Sequence, residues 1–269
     1  MVHSLRLYRR LIGMEVRAQL QYRASFLLDM ATSVLIVAIE FGTVAMVFGR
    51  FESLGGWRLE EVALLYGMAA MGFRTMDLLF SGFDPSDFGE RIRLGQFDQV
   101  LLRPASATLQ VLGSRFHLRR LGGAFQGVLI FALAVWIGDI AWTPAKAALV
   151  PVVLLSQIAF FGALFVAGAT VTFWTVQSIE AVNILTYGGN ELINYPMHIY
   201  QLWLRRFFTF VVPAVFINYA PALYILDKAD PLGLPPWSRF LAPVVGAGML
   251  ALAAAFWRVG IRRYQSTGT

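Results

Sequence analysis

The charged residues that could support chemistry are concentrated in one stretch of this apolar chain, residues 82–104. Its sequence is GFDPSDFGERIRLGQFDQVLLRP. Asp84 and Pro85 predict a helix start, because an aspartate caps the first backbone N–H groups and a proline loses no hydrogen bond at the first helical position. The helix is predicted to run to Gly95. A second short turn is predicted to end at Arg103, since a residue before proline is pushed out of the α region.

A capped, charged pair of short helices between two apolar segments is suited to contact with a soluble protein. The residues predicted to form this docking surface are Asp84, Asp87, Glu90, Arg91, Arg93, Asp98 and Arg103. The alternative is a charged surface helix that has no partner.

Signatures of catalysis are missing from the sequence. There is no GxxxxGK[ST] loop, so the chain is not expected to bind ATP by a P-loop, and neither HExxH nor GxSxG occurs. The three histidines lie far apart and there is no cysteine, which argues against a metal site. We therefore predict that the chain is not an enzyme and holds no cofactor or metal of its own.

The composition predicts a membrane protein. The chain is 58% hydrophobic and 14% charged, with a mean hydropathy of +0.63, whereas soluble domains carry about 25% charged residues. The net charge of +6 does not indicate nucleic-acid binding, because the basic residues lie at the ends of apolar segments, as they do in membrane proteins.

The predicted fold is all-α, with an amphipathic interfacial helix over residues 1–23 and a single transmembrane domain over residues 24–269. Six spans are predicted, at about 25–48, 59–81, 121–138, 147–175, 207–226 and 240–257. Pro213 and Pro221 predict a kink or a break in the fifth span. The sixth span is predicted to pack through three alanines spaced by four residues, Ala247, Ala251 and Ala255.

The basic residues predict the orientation of these spans. Sixteen of them fall on the side that holds both termini, residues 82–104 and the polar segment 177–206, against five on the other side. Because basic loops stay in the cytoplasm, both termini are predicted to be cytoplasmic.

Among the ionisable residues within the predicted spans, three are candidates for a translocation path: Glu40, Arg74 and Asp77. A charge in the membrane must face a cavity or a partner. Glu40 is predicted to be either an acidic wall for a polar or cationic substrate group or a protonated packing residue. Arg74 and Asp77 are three residues apart on one helix, which favours an intrahelical ion pair.

Three runs carry a resemblance to a known family: RIRLGQFDQVLLRP (91–104), YPMHIY (195–200) and FVVPAVFINYAPALYIL (210–226). The chain resembles, over nearly its whole length, the six-span permease subunits of the type-2 ABC exporter superfamily, in a branch long known only as a family of unknown function. The first run carries the most specific part of the pattern, formed by Gly95, Phe97, Asp98, Leu101, Arg103 and Pro104.

The resemblance implies an N-terminal elbow helix, a cytoplasmic coupling helix between spans two and three, and broken helical structure outside between spans five and six. It also implies an exporter that forms its path with a second permease, either a paralogue or a second copy, and that is driven by separate ATPase subunits, which bind the ATP and Mg²⁺. The location it implies is the inner membrane of a bacterium. The alternatives from the residues alone are a secondary transporter or channel driven by an ion gradient, and a membrane scaffold that transports nothing.

Overall fold

The computed structural model of the protein describes residues 12–19, 21, 23–48, 53–116, 118, 120–176 and 180–266. The predicted interfacial helix over residues 1–23 lies only partly within these ranges. Residues 12–19 are helical, and the Gln19 amide joins them to a later segment, donating to the Phe116 carbonyl and accepting from the Leu118 N–H at 2.9 Å. The interfacial position of this helix stays a prediction.

The regular structure of the described chain is helical, as the sequence predicted. From Arg23 to Thr175 the α-helices are α1 (Arg23–Phe48), α2 (Leu59–Phe80), α3 (Pro85–Arg93), α4 (Gln96–Leu102), α5 (Ala107–Leu112), α6 (Arg120–Ile137) and α7 (Pro144–Thr175). The remaining elements are α8 (Glu180–Asn183), α9 (Gly189–Ile193), α10 (Leu202–Arg206), α11 (Tyr219–Ile225) and α12 (Ala242–Arg263). A π-helical turn, Ile184–Gly188, joins α8 to α9, and a second one, Phe207–Val211, extends α10.

Four helical runs among the described residues are long and apolar enough to cross a membrane: Leu59–Arg93, Arg120–Ile137, Pro144–Thr175 and Ala242–Arg263. They coincide with the predicted second, third, fourth and sixth spans. Helix α1 covers the predicted first span with 26 residues, or about 39 Å at 1.5 Å per residue. The count of six spans stays a prediction.

Glycines allow the long helices to approach one another closely. A Cβ atom at Gly67 of α2 would lie 2.6 Å from the Phe131 backbone nitrogen of α6, and one at Gly127 would lie 2.7 Å from the Met71 nitrogen. On α12, a Cβ atom at Gly246 would lie 2.6 Å from the Ser156 carbonyl oxygen of α7. Helix α2 therefore packs closely on α6, and α7 on α12, as small residues permit in membrane helices.

Within the single chain, α12 does not pack through its predicted face. Ala247, Ala251 and Ala255 are all exposed. The buried face is rotated away from them and consists of Ala242, Gly246, Ala253, Trp257 and Gly260. The alanine spacing indicated that some face was suitable for close packing, but glycine permits a still closer approach and determines which face is used.

The segment predicted as the fifth span is not one straight helix. Leu202–Val211 and Ala214–Ile225 are bent by 74° relative to each other, and Pro213 lies at the break, which confirms the predicted interruption. Both flanks of this bent pair lie at the Leu59 end of α2. Before it, His198 Nε2 is 2.7 Å from the Gly55 carbonyl oxygen; after it, Lys228 Nζ donates to the Gly56 carbonyl at 3.1 Å.

A polar segment that precedes the bent pair runs along α2. The Tyr187 hydroxyl donates to Asp84 Oδ2 at 2.9 Å, beyond the Phe80 end of α2, whereas His198 lies at the Leu59 end. The chain between them therefore follows the length of α2, and the bent pair enters and leaves at one end. The segment predicted as span 207–226 is bent, and its apolar residues are covered largely by protein, whereas residues 180–199 are too polar to be recognised as a span from the sequence.

Candidate functional site

The stretch 82–104 folds into the two short helices that its local signals predicted. Asp84 Oδ1 accepts a hydrogen bond from the Ser86 N–H at 3.1 Å, which caps α3. Gly95 adopts the left-handed conformation, with φ of 65°, and separates α3 from α4. Arg103 is extended and ends α4 before Pro104. The two helices thus form a compact hairpin beyond the Phe80 end of α2.

Asp84 points into the protein instead of towards a docking partner. It is 8% exposed, and its second carboxylate oxygen accepts the hydrogen bond from Tyr187. Pro85, the next residue, packs so close to α7 that a Cβ atom at Gly168 would lie 2.7 Å from its ring. Asp84 therefore positions α3 against the polar segment that contains Tyr187, a role that its capping position alone did not reveal.

A cluster of aromatic side chains holds α3 and α4, which we call the helical pair, against the ends of the long helices α7 and α12. We call it the aromatic cluster, and it consists of Phe83, Phe88, Phe97, Phe173, Trp257 and Tyr264. Phe97 of α4 is 1% exposed, with its ring centroid 5.1 Å from Phe173 of α7 and 5.1 Å from Tyr264. Phe88 of α3 lies 5.5 Å from both Phe173 and Trp257 of α12.

Three of the predicted docking residues are engaged with neighbouring segments. Asp87 forms an ion pair with Arg115, and Arg91 donates to Ser114 Oγ at 2.6 Å. Burial, together with the nearby Arg115, lowers the pKa of Arg91 below its ordinary value.

The third of these residues, Asp98, accepts from Ser266 Oγ at 2.6 Å, so the last described residues of the chain pack on α4. Burial and the Asp98 carboxylate raise the pKa of Tyr264 to about 12. Tyr264 is therefore protonated at neutral pH and acts as a packing residue.

The surface that remains free on the helical pair is a mixture of charged and apolar side chains. We call it the exposed face, and it consists of Glu90, Arg93, Leu94, Leu101, Leu102 and Arg103. Leu102 is 85% exposed and Leu94 50% exposed. Glu90 and Arg93 are 4.0 Å apart and both well exposed, so their contact contributes little to stability. Of the seven predicted docking residues, the structure places Glu90, Arg93 and Arg103 here.

Asp77 and its partner form a buried ion pair between two long helices. Asp77 Oδ1 lies 2.8 Å from Arg120 Nη1, and both side chains are largely buried. Arg120 also donates to Ser81 Oγ at 2.8 Å. This contact between α2 and α6 was not predicted. Arg74, the predicted intrahelical partner, packs against Gly123 of α6, and its pairing with Asp77 stays a prediction.

Glu40 lies in α1, but its side chain is outside the described part of the structure. Its role in a translocation path therefore stays a prediction.

The sequence analysis missed a polar network in the interior. Asn218, at the start of α11, donates to the carbonyls of Leu65 and Ile193 at 3.1 and 2.9 Å, and Gln157 of α7 donates to Asn218 Oδ1 at 3.0 Å. It also missed Glu191 of α9, which is exposed. A search for every amide and carboxylate in an apolar context would have found these residues, whereas the search for charges within predicted spans did not.

Two ion pairs connect the loop after α11 to α2 and to α7, at the Leu59 end of α2. Lys228 Nζ lies 2.6 Å from Glu61 Oε2, and the buried Lys146 Nζ lies 2.5 Å from Asp227 Oδ2. They adjoin a cavity of about 190 Å³ that is also lined by Glu60. Within the described ranges, no three histidine or acidic side chains are close enough to hold a metal ion.

The chain matches a known protein family. The model of the family described as "ABC-2 family transporter protein" matches residues 34–268 of the chain. No curated protein and no solved structure matches it.

Proposed function

The chain belongs to the ABC-2 family of transporter proteins, and from this premise we propose that it is the permease subunit of an exporter driven by separate ATPase subunits. The ATPases bind ATP and Mg²⁺ and carry out the hydrolysis, and this chain contributes no catalytic residue. A second permease, identical or related, completes the translocation path. The complex resides in the inner membrane of a bacterium, with both termini of this chain in the cytoplasm.

The exposed face on α3 and α4 is the observation that carries this proposal. It combines apolar side chains, which release water on burial, with charges of both signs at its edge, an arrangement typical of protein interfaces. Leu102 contributes most to it, because 85% of its surface is available to a partner. Most of the basic residues lie on the same side of the membrane as the exposed face. This remains true when Arg205 and Arg206 are counted on the other side, together with the bent pair. The excess of basic residues supports a cytoplasmic partner.

The aromatic cluster supports a mechanism for transmitting force. Because Phe88 and Phe97 pack against α7 and α12, α3 and α4 cannot shift without moving the ends of these helices. A closely packed interior transmits displacement without absorbing it. Closure of the ATPases on ATP binding thus tilts α7 and α12 as rigid bodies and opens the path outward, a transition between two discrete states.

The first test is co-purification of the permease from its native membranes. We expect a subunit with P-loop peptides and ATP hydrolysis to accompany it. Truncating Leu102 to alanine removes three carbon atoms at about 0.8 kcal/mol each, or about 2 kcal/mol. The ATPase should therefore bind roughly thirtyfold more weakly. Leu252→Ala is the matched control, because Leu252 is 69% exposed but lies on α12, away from the exposed face.

Two outcomes would contradict the proposal. One is the absence of an ATP-hydrolysing subunit, together with transport by the isolated permease along an ion gradient, which would establish the alternative of a secondary transporter. The other is an equal loss of ATPase binding in Leu102→Ala and Leu252→Ala, which would show that the exposed face is not where the ATPase docks.

A further inference from the structure

The first part of the bent pair carries a stripe of exposed aromatic and basic side chains. Residues 202–211 form one helical run, because α10 continues directly into the π-helical turn Phe207–Val211. Trp203, Arg206 and Phe210 follow one another along this run at intervals of three and four residues, so they lie on one face. Trp203 is 65% exposed and Phe210 77% exposed. We call this surface the basic stripe, and it consists of Leu202, Trp203, Arg205, Arg206 and Phe210.

The basic stripe lies at the Leu59 end of α2, opposite the helical pair. The charge of Arg205 interacts with the side chain of Tyr219, and the Tyr219 ring stacks on Trp57 just before α2, with centroids 5.7 Å apart. The first turn of α2 contains Glu61, whose charge marks the edge of the hydrocarbon layer. The stripe is therefore at the level where a membrane changes from acyl chains to headgroups, the position that tryptophan favours.

The two arginines of the stripe differ from three other basic residues at this end of the molecule. Arg58, Lys146 and Lys228 are each within ion-pair distance of a carboxylate. Within the described ranges, no acidic side chain forms an ion pair with Arg205 or Arg206. Two adjacent positive charges repel each other, so an anionic group from outside the chain would stabilise them at the membrane edge.

The composition of the stripe fits an anionic phospholipid. Leu202 is 53% exposed and, together with the two aromatic side chains, is suited to contact with acyl chains. A guanidinium group donates hydrogen bonds to phosphate oxygens in a planar fork. A free phosphate would leave the apolar side chains uncovered, and a zwitterionic lipid would bring a second cation close to the arginines. Helices that combine tryptophan, phenylalanine and leucine with arginine bind anionic membrane surfaces through both kinds of contact.

We propose that the basic stripe binds the headgroup phosphate of an anionic phospholipid in the leaflet opposite the helical pair. Arg206 donates to the phosphate, and the neighbouring charge of Arg205 strengthens the attraction. Trp203 and Phe210 lie among the upper parts of the acyl chains. The lipid thereby holds the first part of the bent pair at the membrane edge, directly before the break at Pro213. This inference requires that the chain lies in a membrane, and it does not depend on an ATPase.

The test compares two lipids beside the stripe, with the permease in lipid nanodiscs. A bimane fluorophore is attached to a single cysteine in place of the exposed Gln201, and its quenching by brominated phosphatidylglycerol or brominated phosphatidylcholine is measured. Each arginine near an anionic headgroup contributes roughly a fivefold preference, so half-maximal quenching should need about tenfold less phosphatidylglycerol than phosphatidylcholine. In the double variant Arg205→Gln and Arg206→Gln, the two lipids should quench equally.

The matched control is the double variant Arg262→Gln and Arg263→Gln. These two arginines are also adjacent and exposed, but they lie at the end of α12 that packs against the helical pair. This variant should keep the preference for phosphatidylglycerol at the label. An unchanged preference in a folded variant without Arg205 and Arg206 would overturn the inference, as would equal quenching by the two lipids in the chain that retains both.

Measurements on the chain with both arginines guard against misfolding of the variants. Salt at about 1 M screens charges beyond roughly 3 Å, so it should reduce the preference, and a preference that persists would overturn the inference. Competition by millimolar inorganic phosphate at constant ionic strength would indicate a site for a soluble anion and would overturn it too. Loss of a permease dimer in the Arg205 and Arg206 variant with unchanged lipid preference would assign the stripe to a second copy. None of these assays needs the ATPase, so their failure is distinct from failure of the proposed function.

Discussion

Substitution of Phe97 by leucine tests whether the aromatic cluster holds the helical pair to the long helices. Phe97 is fully buried, with four ring centroids of the cluster between 5.1 and 6.1 Å from its own. Aromatic pairs contribute about 0.5–1.5 kcal/mol each beyond the area they bury. Leucine restores part of the apolar contact, and the four pairs are not additive, so we expect a loss of about 2 kcal/mol.

The assay measures stability and rigidity together. A loss of about 2 kcal/mol lowers the midpoint of thermal unfolding by roughly 4–8 °C in a chain of this size. Rigidity is measured as the distance between spin labels on cysteines introduced at Ser86 of α3 and Arg258 of α12, since the native chain contains no cysteine. In the otherwise native chain the distance distribution should be narrow and should stay the same when ATP is added to the complex with its ATPase. In the Phe97→Leu variant, the distribution of distances between the two spin labels should broaden.

The control for this experiment is Phe131→Leu, which changes a ring whose described partner is Trp142, with centroids 6.4 Å apart. This substitution should leave the distribution of distances between the spin labels narrow. A rigid link through the aromatic cluster is refuted if Phe97→Leu lowers the unfolding midpoint but leaves the distance distribution as narrow as in the control. It is also refuted if ATP changes the distance in the native chain, because the pair and α12 would then move independently.

Two further predictions concern the membrane helices. Arg120→Gln should destabilise the protein by about 3–5 kcal/mol, because it leaves the Asp77 carboxylate buried without its partner. The double variant with Asp77→Asn should lose less than the sum of the two single losses in thermal unfolding, and full additivity would contradict the coupling. Single cysteines at Ser53 and Gln201 should react with an impermeant thiol reagent from the same side, and one at Ser86 from the other. Labelling of Gln201 together with Ser86 would instead support the predicted span 207–226.

The helical pair was predictable because its signals are local. A capping aspartate, a proline at the first helical position, a glycine between the helices and a proline after Arg103 determine where α3 and α4 begin and end. The directions of the side chains were not predictable in the same way. Asp84 and Asp98 turn towards Tyr187 and Ser266, and these contacts join residues more than a hundred positions apart, for which a single sequence gives no spacing signal.

The path of the chain between α7 and α12 was not predictable from hydropathy. Asn190, Glu191 and Asn194 make residues 180–199 too polar to be recognised as a span, although the buried Asn190 and Asn194 amides bond to the exposed Glu191 carboxylate. The bent pair is apolar and was therefore predicted to cross the membrane. Hydropathy measures whether a segment avoids water, but a re-entrant segment covered by protein avoids water as well as a spanning one does.

Cross-linking between the permease and its ATPase tests most directly whether the ATPase docks on the exposed face. A single cysteine replaces Leu102 on the exposed face, or Ser53 at the opposite end as the control, and a short bifunctional reagent is added to the purified complex. We expect a product that joins residue 102 to the ATPase and none from residue 53. A cross-link from residue 53, or no cross-link from residue 102 in a complex that still hydrolyses ATP, would contradict it.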